Sequence, residues 1–141
     1  MAEKHVFISF DFENDQKYKE LLNALSANAN SDISFDDRTP GEIQTNSVDR
    51  VKAVLTKRIT DSTHTLVIVG AHANSNHPDR AQIGTRNWQW WEIEKSAELG
   101  KKLVAVKINS SNDSPEPLKG KGASWARTYK IDSILNAINS A

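Results

Sequence analysis

The chain has 141 residues, 18 basic and 18 acidic, no cysteine, and the 38% hydrophobic content of a globular protein. That length makes a single domain, 1–141, burying roughly two-thirds of its unfolded surface without staples. The missing cysteines exclude a disulfide scaffold, a thiolate zinc site and a cysteine nucleophile, and the cancelling charge gives no field toward nucleic acid or an anionic membrane.

The N-terminal stretch is interrupted by charge and has no signal-peptide core, and the longest apolar run, Leu66 to Ala71, is too short to span a bilayer. The expected compartment is the cytoplasm. Val6-Phe7-Ile8 reads as a strand buried on both faces, leading into Ser9-Phe10-Asp11-Phe12 with no glycine-rich dinucleotide fingerprint. Tyr18, Leu21, Leu22 and Leu25 predict an amphipathic helix capped by Asn14 or Asp15. Ile33-Ser34-Phe35 is a weaker second strand ending in Asp36-Asp37. Val48, Val51, Leu55 and Ile59 predict the next helix, capped by Ser47 or Asn46.

Leu66-Val67-Ile68-Val69 is a third buried strand, and it ends in Gly70-Ala71 rather than the phosphoacceptor Asp of a receiver domain. The connection from 71 to 87 is long enough to suggest a functional role. Its His72, His77 and Asp79 could meet a metal, but the spacing favours solvated loop polars. Trp90, Ile93 and Ala97 predict a helix packed on the sheet and stopping near Gly100. Leu103-Val104-Ala105-Val106 is the fourth strand. The connection from 109 to 124, rich in Ser, Asn, Pro and Gly, reads as a mobile surface loop; its Gly120-Lys121-Gly122 lacks the rest of a P-loop. A faint fifth strand, Ala123 to Ala126, precedes a closing helix marked by Ile131, Ile134, Leu135 and Ile138. Strand and helix alternation of this kind predicts an α/β, flavodoxin-like three-layer sandwich: a parallel sheet of four or five strands with helices on both faces. Ligands of such sheets bind beyond the strands' carboxyl ends.

Three of the four tryptophans fall in Asn87-Trp88-Gln89-Trp90-Trp91-Glu92-Ile93, where a helix begins at that edge. An arbitrary glutamate on a helix is a solvated surface acid. Here Glu92 is expected in the first turn, walled by indoles beside a cleft, where a carboxylate would steady the oxocarbenium-like ribose left by a departing base.

These residues resemble the TIR (Toll/interleukin-1 receptor) domain superfamily, and among it the small bacterial TIR-like proteins of Thoeris anti-phage defence. Val6 to Asp11 is similar to the first strand and its loop, and Phe35 to Glu42, with Pro40-Gly41-Glu42, resembles the BB loop. Trp88 to Ile93 is similar to the family's Trp, three residues, Glu, then Ile or Leu. Arg86 stands where many members have serine. The resemblance implies an NAD⁺ nucleosidase or ADP-ribosyl cyclase that needs no cofactor or metal, with NAD⁺ as its substrate and an ADP-ribose-type signal, cyclic in the defence proteins, as product. It implies Glu92 as the essential acid, Phe10 and Asp11 lining the pocket, Trp88 as aromatic wall and Arg38 as a phosphate or partner contact. The bland readings are core packing for Phe10 and a salt bridge with Asp36 or Asp37 for Arg38. The resemblance further implies a homo-oligomer that completes the site and a separate effector sensing the product, with no nucleic acid or membrane partner. Two other readings stay open: a non-catalytic module assembling through its BB loop, and a nucleoside N-glycosidase or deoxyribosyltransferase.

Overall fold

A computed structural model describes residues 4–10, 24, 27, 33–36 and 47–141. Within them run β1 (Lys4–Ser9), β2 (Ile33–Asp36), α1 (Val48–Thr60), β3 (His64–Val69), α2 (Arg80–Ile83), α3 (Trp88–Glu98), β4 (Lys102–Lys107), a 3₁₀ turn (Glu116–Leu118), β5 (Ser124–Trp125) and α4 (Ile131–Ser140). The stripe residues Tyr18, Leu21, Leu22 and Leu25 of the expected helix, the BB-loop turn, Asp11 and Arg38 lie outside the described residues.

The strands form one parallel sheet in the order β2-β1-β3-β4-β5. This is the flavodoxin-like order, in which the chain reverses its winding between β1 and β3. The three apolar runs became the central strands because all six residues of β3 and the middle of β4 are buried. Val6, Ile8, Leu66, Ile68, Val104 and Val106 face α4, which presents Ile134 and Ile138. Phe7, Ser9, Val67 and Ala105 point the other way by strand alternation, toward α1 and α3. On that face Phe7 is gripped by Val51, Leu55 and Ile59 of α1, with Trp88 and Trp91 packed at the margin.

Local signals set the helix ends. The Ser47 hydroxyl caps α1 by accepting from the Arg50 amide at 3.3 Å, settling the choice between Ser47 and Asn46. Asn87 caps α3, accepting from the Trp90 amide at 2.8 Å. At the far end Gly100 takes φ +73°, a conformation disfavoured for residues with a Cβ. The amides of Gly100 and Lys101 then return to the carbonyls of Ala97 and Ser96.

The connection from 109 to 124 differs from the surface loop expected of its composition. Leu118 is buried against the Ile93 cluster, and Asn112 donates to the Val69 carbonyl at 3.1 Å. Asn74 Nδ2 ties the other long connection to it through the Asp113 carbonyl. Backbone carbonyls explain the difference: composition reports solubility, whereas these asparagines donate to main-chain acceptors, Val69 at the end of β3 and Asp113 in the connection itself.

Candidate active site

The first six residues of α3 decide the site's character. Its buried positions are Gln89, Glu92, Ile93 and Ser96, a stripe at helical spacing with three polar members out of four. The expected stripe of Trp90, Ile93 and Ala97 is therefore offset by one position. Trp90 is only half-buried: its indole N–H donates to Asn74 Oδ1 at 3.0 Å, and the Arg86 guanidinium lies over its ring at 4.9 Å. A polar anchor and a cation outside the sheet drew it away from the core.

Glu92 occupies the second turn of α3, not the first, because the helix starts at Trp88. Its carboxyl points inward to the sheet and is 2% exposed. The Ser9 hydroxyl, at the carboxyl end of β1, donates to Glu92 Oε1 at 2.6 Å. Burial pushes this carboxyl up from its ordinary 4.5 to about 8, against the Ser9 hydrogen bond and the positive charge of Arg58 on α1. A carboxyl this dry interacts far more strongly with a nearby cation than one in water.

Gln89, one turn earlier, donates through Nε2 to the Ser9 carbonyl at 3.0 Å and the Ile68 carbonyl at 2.9 Å. It thus bridges β1 and β3 where the winding reverses, the place where ligands of such sheets bind. Ser96 continues the polar seam, bonding Thr65 on β3 and the carbonyl of Glu92, both at 2.7 Å. Asn87 adds to its capping bond two donated ones, to the carbonyls of Ala73 and Ser75, which moor the 71–87 connection to the start of α3.

The remaining expected residues are placed differently. Trp88 sits edge-on to Trp91, ring centroids 5.8 Å apart, against Phe7 and α1. It walls the helix pair on the Glu92 side of the sheet. Phe10, 5% exposed, packs in the cluster beneath α4, so the core-packing role describes its surroundings. An open groove of about 920 Å³ does exist on α3, but its lining includes Trp90, Glu94, Leu103 and Glu116 on the outer side, and Glu92 is not part of it. The cleft-facing acid expected from the sequence is a buried one. His77 accepts through Nδ1 from the Asp79 amide, and among the described residues no group of three or more His, Cys, Asp or Glu is placed to hold a metal.

Sequence reasoning missed Ser9 and Gln89. Alternation along β1 puts Ser9 on the face of Phe7, and a spacing of three puts Gln89 beside Glu92; those two periods were the available signals.

The sequence signature described as Thoeris protein ThsB, TIR-like domain, matches residues 7–113. No curated protein matches the chain. Among solved structures, the chain is similar to the Clostridium botulinum CMP N-glycosidase BcmB (15% identity, 96% of this chain and 99% of that one, TM-score 0.57). It is similar also to a prokaryotic SEFIR domain (18% identity, 97% and 94%, TM-score 0.55). A 2-deoxyribosyltransferase from Leishmania mexicana gives 14% identity over 75% of this chain, TM-score 0.51, and the chain spans 65% of that enzyme's length. At such identities the likeness shows a shared fold.

Proposed function

The chain belongs to the TIR-like domain family of the Thoeris protein ThsB, and from that premise we propose that it cleaves the nicotinamide–ribose bond of NAD⁺. One observation carries the reading: a carboxyl buried to 2% exposure at the junction of β1 and β3, held by a serine hydroxyl and still pushed up to about 8. Placing a carboxyl there is expensive for folding and is the kind of arrangement a site makes for chemistry.

The reaction follows from charge movement. The C1′–N bond breaks with its electron pair leaving on nicotinamide, so the pyridinium becomes neutral and positive charge passes to C1′ and O4′ of the ribose. A carboxylate fixed beside the ribose is stabilised more by that arrangement than by the ground state, which lowers the barrier. Glu92 carries a proton up to about pH 8 in the free protein, so binding the substrate's cationic pyridinium ring beside it is coupled to its release. Attack on C1′ by water then gives ADP-ribose, and attack by an adenine nitrogen gives a cyclic ADP-ribose without adding water; Glu92 is the group able to accept the proton shed by water. In this reading Asp11 lines the pocket near β1, with Phe10 packed in the core behind it, Trp88 is the aromatic wall and Arg38 contacts phosphate or a partner. NAD⁺ is a substrate, no metal takes part, a second copy completes the site, and a separate effector senses the product in the cytoplasm as part of anti-phage defence.

A second reading, base release from nucleosides, rests on the same buried carboxyl, since any departing base leaves the same cation at C1′. The names of two similar structures, a CMP N-glycosidase and a deoxyribosyltransferase, favour including it. The test incubates the protein at high concentration with NAD⁺, CMP and deoxynucleosides separately and resolves the products chromatographically. Nicotinamide release supports the first reading. Base release without nicotinamide supports the second. Inertness toward all three, with biological activity that survives Glu92→Gln and is lost on Arg38→Glu, points to a non-catalytic assembly module.

A further inference from the structure

Ser9 belongs to two hydrogen-bonding networks at once. Its hydroxyl holds Glu92 at 2.6 Å, and its carbonyl accepts from Gln89 Nε2 at 3.0 Å. The second hydrogen of that amide goes to Ile68 at 2.9 Å, on the strand whose Val67 lies opposite Ser9. Both donors of Gln89 are therefore committed, one to each strand, and the amide cannot turn over without releasing both. Its Oε1 is buried with no hydrogen-bond partner among the described residues. Two neutral hydrogen bonds gained and one buried acceptor left unmatched roughly cancel, so stability alone gives little reason for an amide at a position that is 5% exposed.

We propose that Gln89 is the positioning residue of this site: by gripping the Ser9 carbonyl it fixes the end of β1 and aims the Ser9 hydroxyl at the Glu92 carboxyl. Its geometric consequence belongs to the fold; its catalytic consequence rests on the reading of Glu92 given above. Donation from Ser9 favours the ionised carboxyl, as does Arg58, the charged group that acts on it from the packed helix α1. Removing Gln89 leaves Arg58 in place and frees the hydroxyl to wander.

The experiment follows the ¹³C carboxyl resonance of Glu92 through a pH titration, assigned by its disappearance in Glu92→Gln. It compares wild type with Ser9→Ala, Gln89→Met and the double variant. Gln89→Asn, one methylene too short to span both carbonyls, replaces Gln89→Met if the latter does not fold. Ser9→Ala and the Gln89 variant should each raise the midpoint by about one pH unit, and the double variant by no more than either alone. A Gln89 variant that keeps the wild-type midpoint while Ser9→Ala shifts it would make Gln89 merely structural and overturn the proposal. Unchanged midpoints in both would overturn it equally. The kcat/KM for NAD⁺ near pH 7 should fall about tenfold in the same variants, because one pH unit lowers the ionised fraction of the free enzyme tenfold. If wild type releases no nicotinamide, the NAD⁺ reading fails while the titration still decides the role of Gln89.

Discussion

Glu92→Gln should make the protein more stable, and by an amount set by pH. The carboxyl has its ordinary value of 4.5 in the unfolded chain and about 8 in the folded one. Below pH 4.5 both states carry the proton and the group is neutral to stability. Between 4.5 and 8 the unfolded chain has released the proton while the folded one retains it, so the unfolded state gains relative stability as pH rises. The penalty is complete above pH 8. At about 1.4 kcal/mol for each tenfold change in proton affinity, it amounts to about 5 kcal/mol, a large part of an ordinary domain's stability. Glutamine keeps an acceptor for the Ser9 hydroxyl and never ionises, so it escapes the penalty. Urea denaturation of both proteins at pH 5 and pH 8.5 measures this as the change in their stability difference. His64, which burial and then Lys102 and Lys4 push below 6.5, destabilises the fold as pH falls, but it does so in both proteins and cancels. A difference that stays constant within about 1 kcal/mol across that range would refute the burial of Glu92 as the source of its proton affinity.

Other expectations follow from the same contacts. The kcat/KM for NAD⁺ should rise with pH and level off above about 8, since it reports the free enzyme's ionisation; a profile flat from pH 6 to 9 would contradict that. Asn87→Ala removes a cap and two bonds that moor the 71–87 connection, and thermal unfolding should show a loss of about 2 kcal/mol. Leu55→Ala empties space against Phe7 that is closed to solvent, and should cost about 2–5 kcal/mol by denaturant titration without displacing the pH profile.

The sheet was legible because its central strands are uniformly apolar, and an apolar run of that length between turn residues has few other uses. β5 was faint because two residues held by pairing to Val104 and Ala105 carry almost no pattern of their own. The site was harder. Hydrophobic periodicity finds the face a helix buries only when that face is apolar, and α3 buries Gln89, Glu92 and Ser96 beside a single isoleucine. Counting apolar residues therefore turned the helix by one position toward Trp90. Glu92 was singled out through its spacing from Trp88, but its turn and its burial depend on where Asn87 starts the helix and on what Ser9 offers from a distant strand.

The most direct measurement compares nicotinamide release from NAD⁺ by wild type and Glu92→Gln at equal, high protein concentration near pH 8. We expect steady release by wild type and a loss of at least a hundredfold in the variant, the scale of removing one preorganised group facing developing charge. Equal release by the two proteins would take the buried carboxyl out of the reaction.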